Sequence, residues 1–210
     1  MSYKSFKNIS YVCEKFNIDY ESKNFIQEKK IILNQYFLEK LNEFLNDEGS
    51  FSSEAAISER ILFPMIYEVA REYNLPVWSQ LQFNVDKKLG LTGNPDYIIA
   101  PALRGKKGFK LPVVCLGEAN KKDFDEGWGQ VGAEMYAAQI ANKNNEIPIY
   151  GLVSDGQDWE FGKLENNKFT INKSKIVAPD NLQKVFDTLN WLFGKANSNL
   201  KVLLKKNYKN

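Results

Sequence analysis

Apolar residues recur at helical spacing over 24–45, where Phe25, Ile32, Tyr36, Leu41 and Phe44 predict a first helix. Asn46, Asp47, Glu48, Gly49 and Ser50 break the pattern as a loop, and Ser52 or Ser53 can cap a second helix. In that helix Ile57, Ile61, Met65 and Val69 step by four, with Leu62 and Ile66 beside them. It is apolar almost all round and is therefore expected to be deeply packed. Pro64 lies inside it, lacks a backbone N–H, and is expected to kink or restart it.

After Pro76 the period changes from helical to alternating. The pattern over 77–85, around Trp78, Leu81, Phe83 and Val85, predicts a strand, and 86–93 a turn. Tyr97, Ile98 and Ile99 mark a second strand, 101–110 a basic loop, and 111–117 a dense apolar strand expected to be central and buried on both faces. Helical spacing returns over 123–142 through Trp128, Val131, Met135 and Ile140. There Gly127, Gly129, Gly132, Ala133 and Ala137 would let the helix approach the sheet closely. Asp155-Gly156 joins apolar runs at 147–154 and 157–164, a hairpin signal. A short strand at 169–171, a closing helix over 182–193 and a lysine-rich tail complete the chain. The order α-α-β-β-β-α-β-β-α predicts an α/β fold with a central mixed sheet flanked by helices.

Composition narrows the chemistry. The chain has 210 residues, which suggests one domain with a core large enough to need no disulfide or metal staple. We expect a helical N-terminal extension over 1–50, a core over 52–165, and a C-terminal strand, helix and basic tail over 166–210. There is no histidine, which excludes a Ser-His-Asp triad, a Cys-His dyad and His-ligated zinc. Acid–base or metal chemistry must then run on Asp, Glu, Lys, Tyr or main-chain groups. Cys13 and Cys115 cannot make a four-thiolate site and read as ordinary thiols of a reducing compartment. A net charge of +2 argues against a non-specific nucleic-acid coat but leaves room for a local basic patch. Neither a membrane span nor a signal peptide is visible, so a cytoplasmic protein is expected.

Two carboxylates fall at matched places. Asp96 opens the second strand after Asn94-Pro95, and Glu118 ends the third after a run otherwise too apolar to hold a charge. If the strands are neighbours, the two converge at one end of the sheet. Paired carboxylates with a main-chain oxygen suit Mg²⁺ or Mn²⁺. Such a site activates water and neutralises a phosphoryl transition state without histidine.

Pro95-Asp96 followed by Glu118-Ala119-Asn120, between the helix SEAAISERILFPMIYEVARE and the helix GWGQVGAEMYAAQ, resembles the PD-(D/E)XK nuclease superfamily. The hairpin YGLVSDGQDWEF is similar to the strand that follows in type I restriction-enzyme subunits and their stand-alone relatives. The resemblance covers about 52–162 and implies a restriction-endonuclease-like α-β-β-β-α-β core. It also implies a Mg²⁺- or Mn²⁺-dependent phosphodiesterase acting on DNA, with RNA not excluded and a homodimer possible. The implied metal ligands are Asp96, Glu118, the main-chain carbonyl of Ala119, and Glu59, directly or through water, with Glu54 as the alternative to Glu59. Asn120, with Lys122, would orient the attacking water, and Gln130 would position that water or a phosphate. Arg104, Lys106, Lys107 and Lys110 would meet the DNA backbone, giving affinity without sequence information.

The superfamily pattern has lysine where this chain has Asn120, which can hydrogen-bond but carries no charge. Lys121 and Lys122 follow at once. A second reading is therefore a nuclease fold that no longer cleaves and binds nucleic acid or a protein partner. A plain scaffold is a third. Convergence of Glu59, Asp96 and Glu118 on one point with a cationic side chain nearby favours the first reading, while convergence without one leaves the first two open.

Overall fold

The computed structural model describes residues 2–105, 107–120 and 123–207. Lys106, Lys121 and Lys122 lie outside that set. One sheet of eight strands organises the chain. The strands are β1 (Asp19–Ser22), β2 (Val77–Ser79), β3 (Tyr97–Ile99), β4 (Cys115–Ala119), β5 (Ile149–Ser154), β6 (Asp158–Glu165), β7 (Lys168–Ile171) and β8 (Ile176–Val177). Their order across the sheet is β1-β7-β6-β5-β4-β3-β2, with β8 pairing β6 off that path. β1–β7 and β4–β5 are parallel and the other pairs antiparallel, so the sheet is mixed.

The helices are α1 (Ile9–Phe16), α2 (Gln35–Leu45), α3 (Glu54–Ile57), α4 (Phe63–Glu72), α5 (Phe124–Asn142) and α6 (Leu182–Asn207). They cover the sheet from both sides. One buried cluster joins α2, α3, α4 and α6 to Tyr97, Ile99, Cys115 and Leu152. The other joins α1 and α5 to Ile98, Leu116 and Val153. β4 is buried along its whole length, as its apolar composition predicts, because it is covered on both faces.

Several sequence expectations are corrected. The helix expected over 24–45 begins only at Gln35, capped by Asn34. The stretch before it runs as a strap across α6. Asp187 accepts the Lys29 and Ile31 N–H groups, through its main-chain and side-chain oxygens, and the Asn190 amide donates to the Lys29 and Lys30 carbonyls. Backbone groups captured by another element are not available to a helical ladder. The strand expected over 77–85 stops at Ser79, because Gln80 adopts a left-handed backbone with φ 54°. Lys201, Lys205 and Lys206 of the lysine-rich tail belong to the last turns of α6, and Lys209 lies outside the described residues. β1 and β8 carry too few residues for a periodic signal, whereas α1 is missing from the expected order although Ile9, Val12, Cys13 and Phe16 hold i, i+3, i+4, i+7 spacing.

Ser53 is the cap of the second helix, accepting from the Ala56 N–H. The path from Glu54 to Glu72 is helical throughout, with a π-turn at Ser58–Leu62 just before Pro64. Widening the helix there accommodates a residue that cannot donate. The helix is not buried all round. Phe63 and Tyr67 stack on each other, 37% and 50% exposed, where the sequence predicts a deeply packed helix. The glycines of α5 also divide their work. An added Cβ at Gly127 would meet Val153 of the sheet at 2.6 Å, but at Gly129 and Gly132 it would meet residues 6–9 of the N-terminal segment.

Candidate functional site

The antiparallel register pairs Tyr97 with Gly117 and Ile98 with Leu116. Continued by one residue, it sets Asp96 opposite Glu118. Strand alternation puts both on the face that carries Ile98 and Leu116, the side of α5. They meet at a cleft of about 600 Å³ at the end of the sheet. Glu54, Ser58 and Glu59 from α3 and the π-turn line the same cleft, as does Lys4.

Asp96 is held rigidly. One carboxylate oxygen accepts the Ala119 N–H at 2.9 Å and the other accepts a short hydrogen bond from the Gln80 amide. The left-handed turn at Gln80 that ends β2 is what brings that amide in. Glu118 is held differently. It is 7% exposed, and its Oε2 is buried without a hydrogen-bond partner. A buried carboxylate oxygen with nothing to accept from is costly.

Glu134 of α5 is the residue that sequence reading missed. It is fully buried, Gln130 donates to its Oε1 at 3.3 Å, and its Oε2 has no partner. Burial pushes the Glu134 carboxyl well up, with the Asp96 charge adding to it, while Gln130 and Lys4 pull the other way. Burial likewise raises Glu118, reinforced by Asp96 and Glu134 and opposed by Lys4. Asp96 is raised too, mainly by burial and against the hydrogen bonds from Ala119 and Gln80. Three carboxylates thus share one region of low dielectric, and they cannot all ionise cheaply. The clue in the sequence was a charged residue inside a helix whose neighbours are Gly, Ala, Met and Val.

A raised folded pKa means that the unfolded chain releases its proton first. The stability contributed by neutral Glu134 is complete below about 4.3, the ordinary glutamate value, and is lost as pH rises through its higher folded value. Glu134→Gln keeps a polar partner for Gln130 and removes that loss. In metal-free buffer it should melt above the wild type at pH 8, by about 1–3 kcal/mol, with the gap closing at pH 4. Thermal melts across pH 4–8 check this, and a gap independent of pH would refute it.

The other expected residues are placed as follows. Glu59 and Glu54 both line the cleft, Glu59 from the exposed side of the π-turn. Gln130 lines a second cleft of about 280 Å³, which shares Lys4 and Gln80 with the first. Asn120 lines neither. Its Oδ1 accepts the Asp123 N–H, bracing the turn into α5. Lys122 lies outside the described residues. Arg104, Lys107 and Lys110 sit in a hairpin closed by Leu103 N–H to the Gly108 carbonyl and Lys110 N–H to the Pro101 carbonyl. That hairpin joins the far ends of β3 and β4, away from Asp96 and Glu118, and Lys106 of the same loop is outside the described set.

Among the described residues, no group of three or more His, Cys, Asp or Glu side chains is arranged to hold a metal ion. Both cysteines are buried, and burial pushes the Cys13 thiol up to about 11, out of the range of a thiolate nucleophile at neutral pH. Among the same residues no helix is long and apolar enough to cross a membrane. Comparison of the chain with protein families, with curated proteins and with solved structures found no match.

Proposed function

We propose that this chain is a Mg²⁺- or Mn²⁺-dependent phosphodiesterase that cuts DNA, built on a restriction-endonuclease-like core. The observation that carries the reading is the pairing of Asp96 with Glu118 in the cleft, with Glu118 Oε2 buried and unpartnered. The order α3/α4–β2–β3–β4–α5–β5, with β4 and β5 parallel across α5, supports it.

The residues fit such an ion. Mg²⁺ is commonly held by one or two carboxylates and completes its shell with water and substrate phosphate, so a third carboxylate in contact is not required. Asp96, Glu118 and the Ala119 carbonyl would hold it, and Glu54 or Glu59 would reach it through water. When bound, the ion lowers the pKa of a water and offsets charge on the phosphoryl group. The chain's own part is to keep the carboxylates in place. Gln80 and the Ala119 N–H fix the rotamer of Asp96, and β4 fixes Glu118. The cost of holding ionised carboxylates in this buried region would be offset by a divalent cation beside Asp96 and Glu118.

The second reading, a fold that binds without cutting, is favoured by Asn120, whose side chain braces a turn and carries no charge. Mn²⁺ binding by calorimetry, followed by nicking of supercoiled plasmid, separates the two. The nuclease reading expects the wild type to do both and Asp96→Ala/Glu118→Ala to do neither. Metal binding without nicking supports the second reading. No metal binding overturns the first.

A further inference from the structure

The N-terminal segment enters the cleft by construction. Tyr3 is buried, its hydroxyl donates to the Phe83 carbonyl at 2.8 Å, and its N–H donates to the Thr92 carbonyl. Phe6 is fully buried three residues on. Behind them Gly129 leaves no side chain between α5 and the Phe6–Asn8 backbone, so the segment lies directly on the helix. A short 3₁₀ turn, Tyr3–Ser5, spans the two anchors and presents Lys4.

Lys4 lines both the carboxylate cleft and the adjoining cleft that contains Gln130. It is the one cationic side chain among the described residues that line either. Its charge bears on Asp96, Glu118 and Glu134 together. Yet no hydrogen bond or ion pair among the described residues holds its ammonium, which stays exposed to incoming ligand. A lysine pinned by two buried anchors beside three carboxylates, and unpaired, is placed to meet an anion that arrives with a metal.

We propose that Lys4 is a catalytic residue of this cleft, contacting the scissile phosphate and supplying the positive charge that Asn120 lacks. This rests on the phosphodiesterase reading above. In the step it serves, a water oxygen bonds to phosphorus and one phosphorus–ester oxygen bond breaks. The water's proton passes to solvent and the departing alkoxide takes one from solvent. Lys4 remains an ammonium throughout and stabilises the charge gathering on the non-bridging oxygens.

The test uses the full chain with Lys4→Ala, Lys4→Arg and, as a control on the same segment, Lys7→Ala, whose lysine pairs with Glu126 at the surface. Plasmid nicking in Mg²⁺ is read beside binding of a short duplex DNA in Ca²⁺ at graded salt. Lys4→Ala should nick about 10²-fold more slowly, the usual cost of removing one preorganised donor to a developing oxyanion. Lys4→Arg should recover most of that loss, and Lys7→Ala should match the wild type. The slope of log affinity against log salt should fall by about one in Lys4→Ala, the signature of a lost phosphate contact. Unchanged thermal melts show that the variants fold. Wild-type nicking and salt slope in Lys4→Ala would overturn the assignment while leaving the nuclease reading intact. If Asp96→Ala also nicks normally, the nuclease reading itself fails. If the wild type binds DNA without nicking, the catalytic assignment of Lys4 is overturned together with the nuclease reading, whatever the slope. Neither binding nor nicking by the wild type overturns both.

Discussion

Glu118→Gln is expected to abolish metal-dependent nicking and at the same time raise the melting temperature in metal-free buffer. The two effects have one cause. Glu118 is a buried acid with an unpartnered oxygen, flanked by Asp96 and Glu134. A neutral amide of the same shape lowers the cost of burial and cannot offer a carboxylate to a cation. The loss of rate should be about 10³-fold or more, equivalent to roughly 4 kcal/mol of transition-state stabilisation. The gain in stability should be about 1 kcal/mol. Asp96→Ala should be equally inactive but should melt below Glu118→Gln, because it strips the Ala119 N–H and the Gln80 amide of their acceptor. Nicking assays and melts on the two variants check this. A Glu118→Gln protein that still nicks plasmid would remove Glu118 from the chemistry, and one that melts lower would contradict the electrostatic account of the site.

The other large effect is expected at Gly129. An added Cβ there would lie 2.5 Å from the Asn8 nitrogen and closer still to the Phe6 carbonyl oxygen, both main-chain atoms that cannot swing aside. In an exposed helix, alanine for glycine gains up to about 1 kcal/mol. Here overpacking against backbone should outweigh that and cost about 3 kcal/mol. For a domain of this size that is about 10 °C in melting temperature. The segment carrying Tyr3, Lys4 and Phe6 should also lift, so Gly129→Ala should lose activity by the same route as Lys4→Ala. Gly132→Ala is the internal comparison. Its Cβ would clash only with the Cδ1 of Ile9 at 2.5 Å, the far end of a flexible side chain, and would touch Val12 at ordinary contact distance, so its melt should stay close to wild type. Equal melts for the two variants would show that the N-terminal segment does not sit on α5 as described.

Much of the architecture was legible from periodicity. α5, β3, the β5–β6 hairpin at Asp155-Gly156 and the buried character of β4 follow from where the apolar residues fall, although α5 is buried at every position from Gly127 to Met135 and leaves Ile140, one of its periodic positions, 39% exposed. The pairing of Asp96 with Glu118 was legible too, since strand-edge carboxylates on adjacent antiparallel strands must meet if the register continues. The strap over 23–34 was not legible. Its apolar residues mimic a helix, but Asp187 and Asn190, far along the chain, take its backbone hydrogen bonds. The exposed face of Phe63 and Tyr67 was hidden for a similar reason, since an apolar pattern does not say which side a neighbouring element leaves bare.

By itself the sequence determined the chemistry available. Without histidine, and with two thiols that cannot make a four-thiolate site, acid–base or metal chemistry is left to Asp, Glu, Lys, Tyr or main-chain groups, and strand placement singles out Asp96 and Glu118 among them. Only the tertiary structure decided what surrounds them. Glu134 reads as one more helical acid until α5 packs its face against β4 and removes it from water. Lys4 reads as one more terminal lysine until Tyr3 and Phe6 anchor their turn against α5 at Gly129. In both cases the deciding quantity is the approach of elements distant in sequence, which sets the local dielectric and the distance between charges, and no periodicity along the chain encodes either.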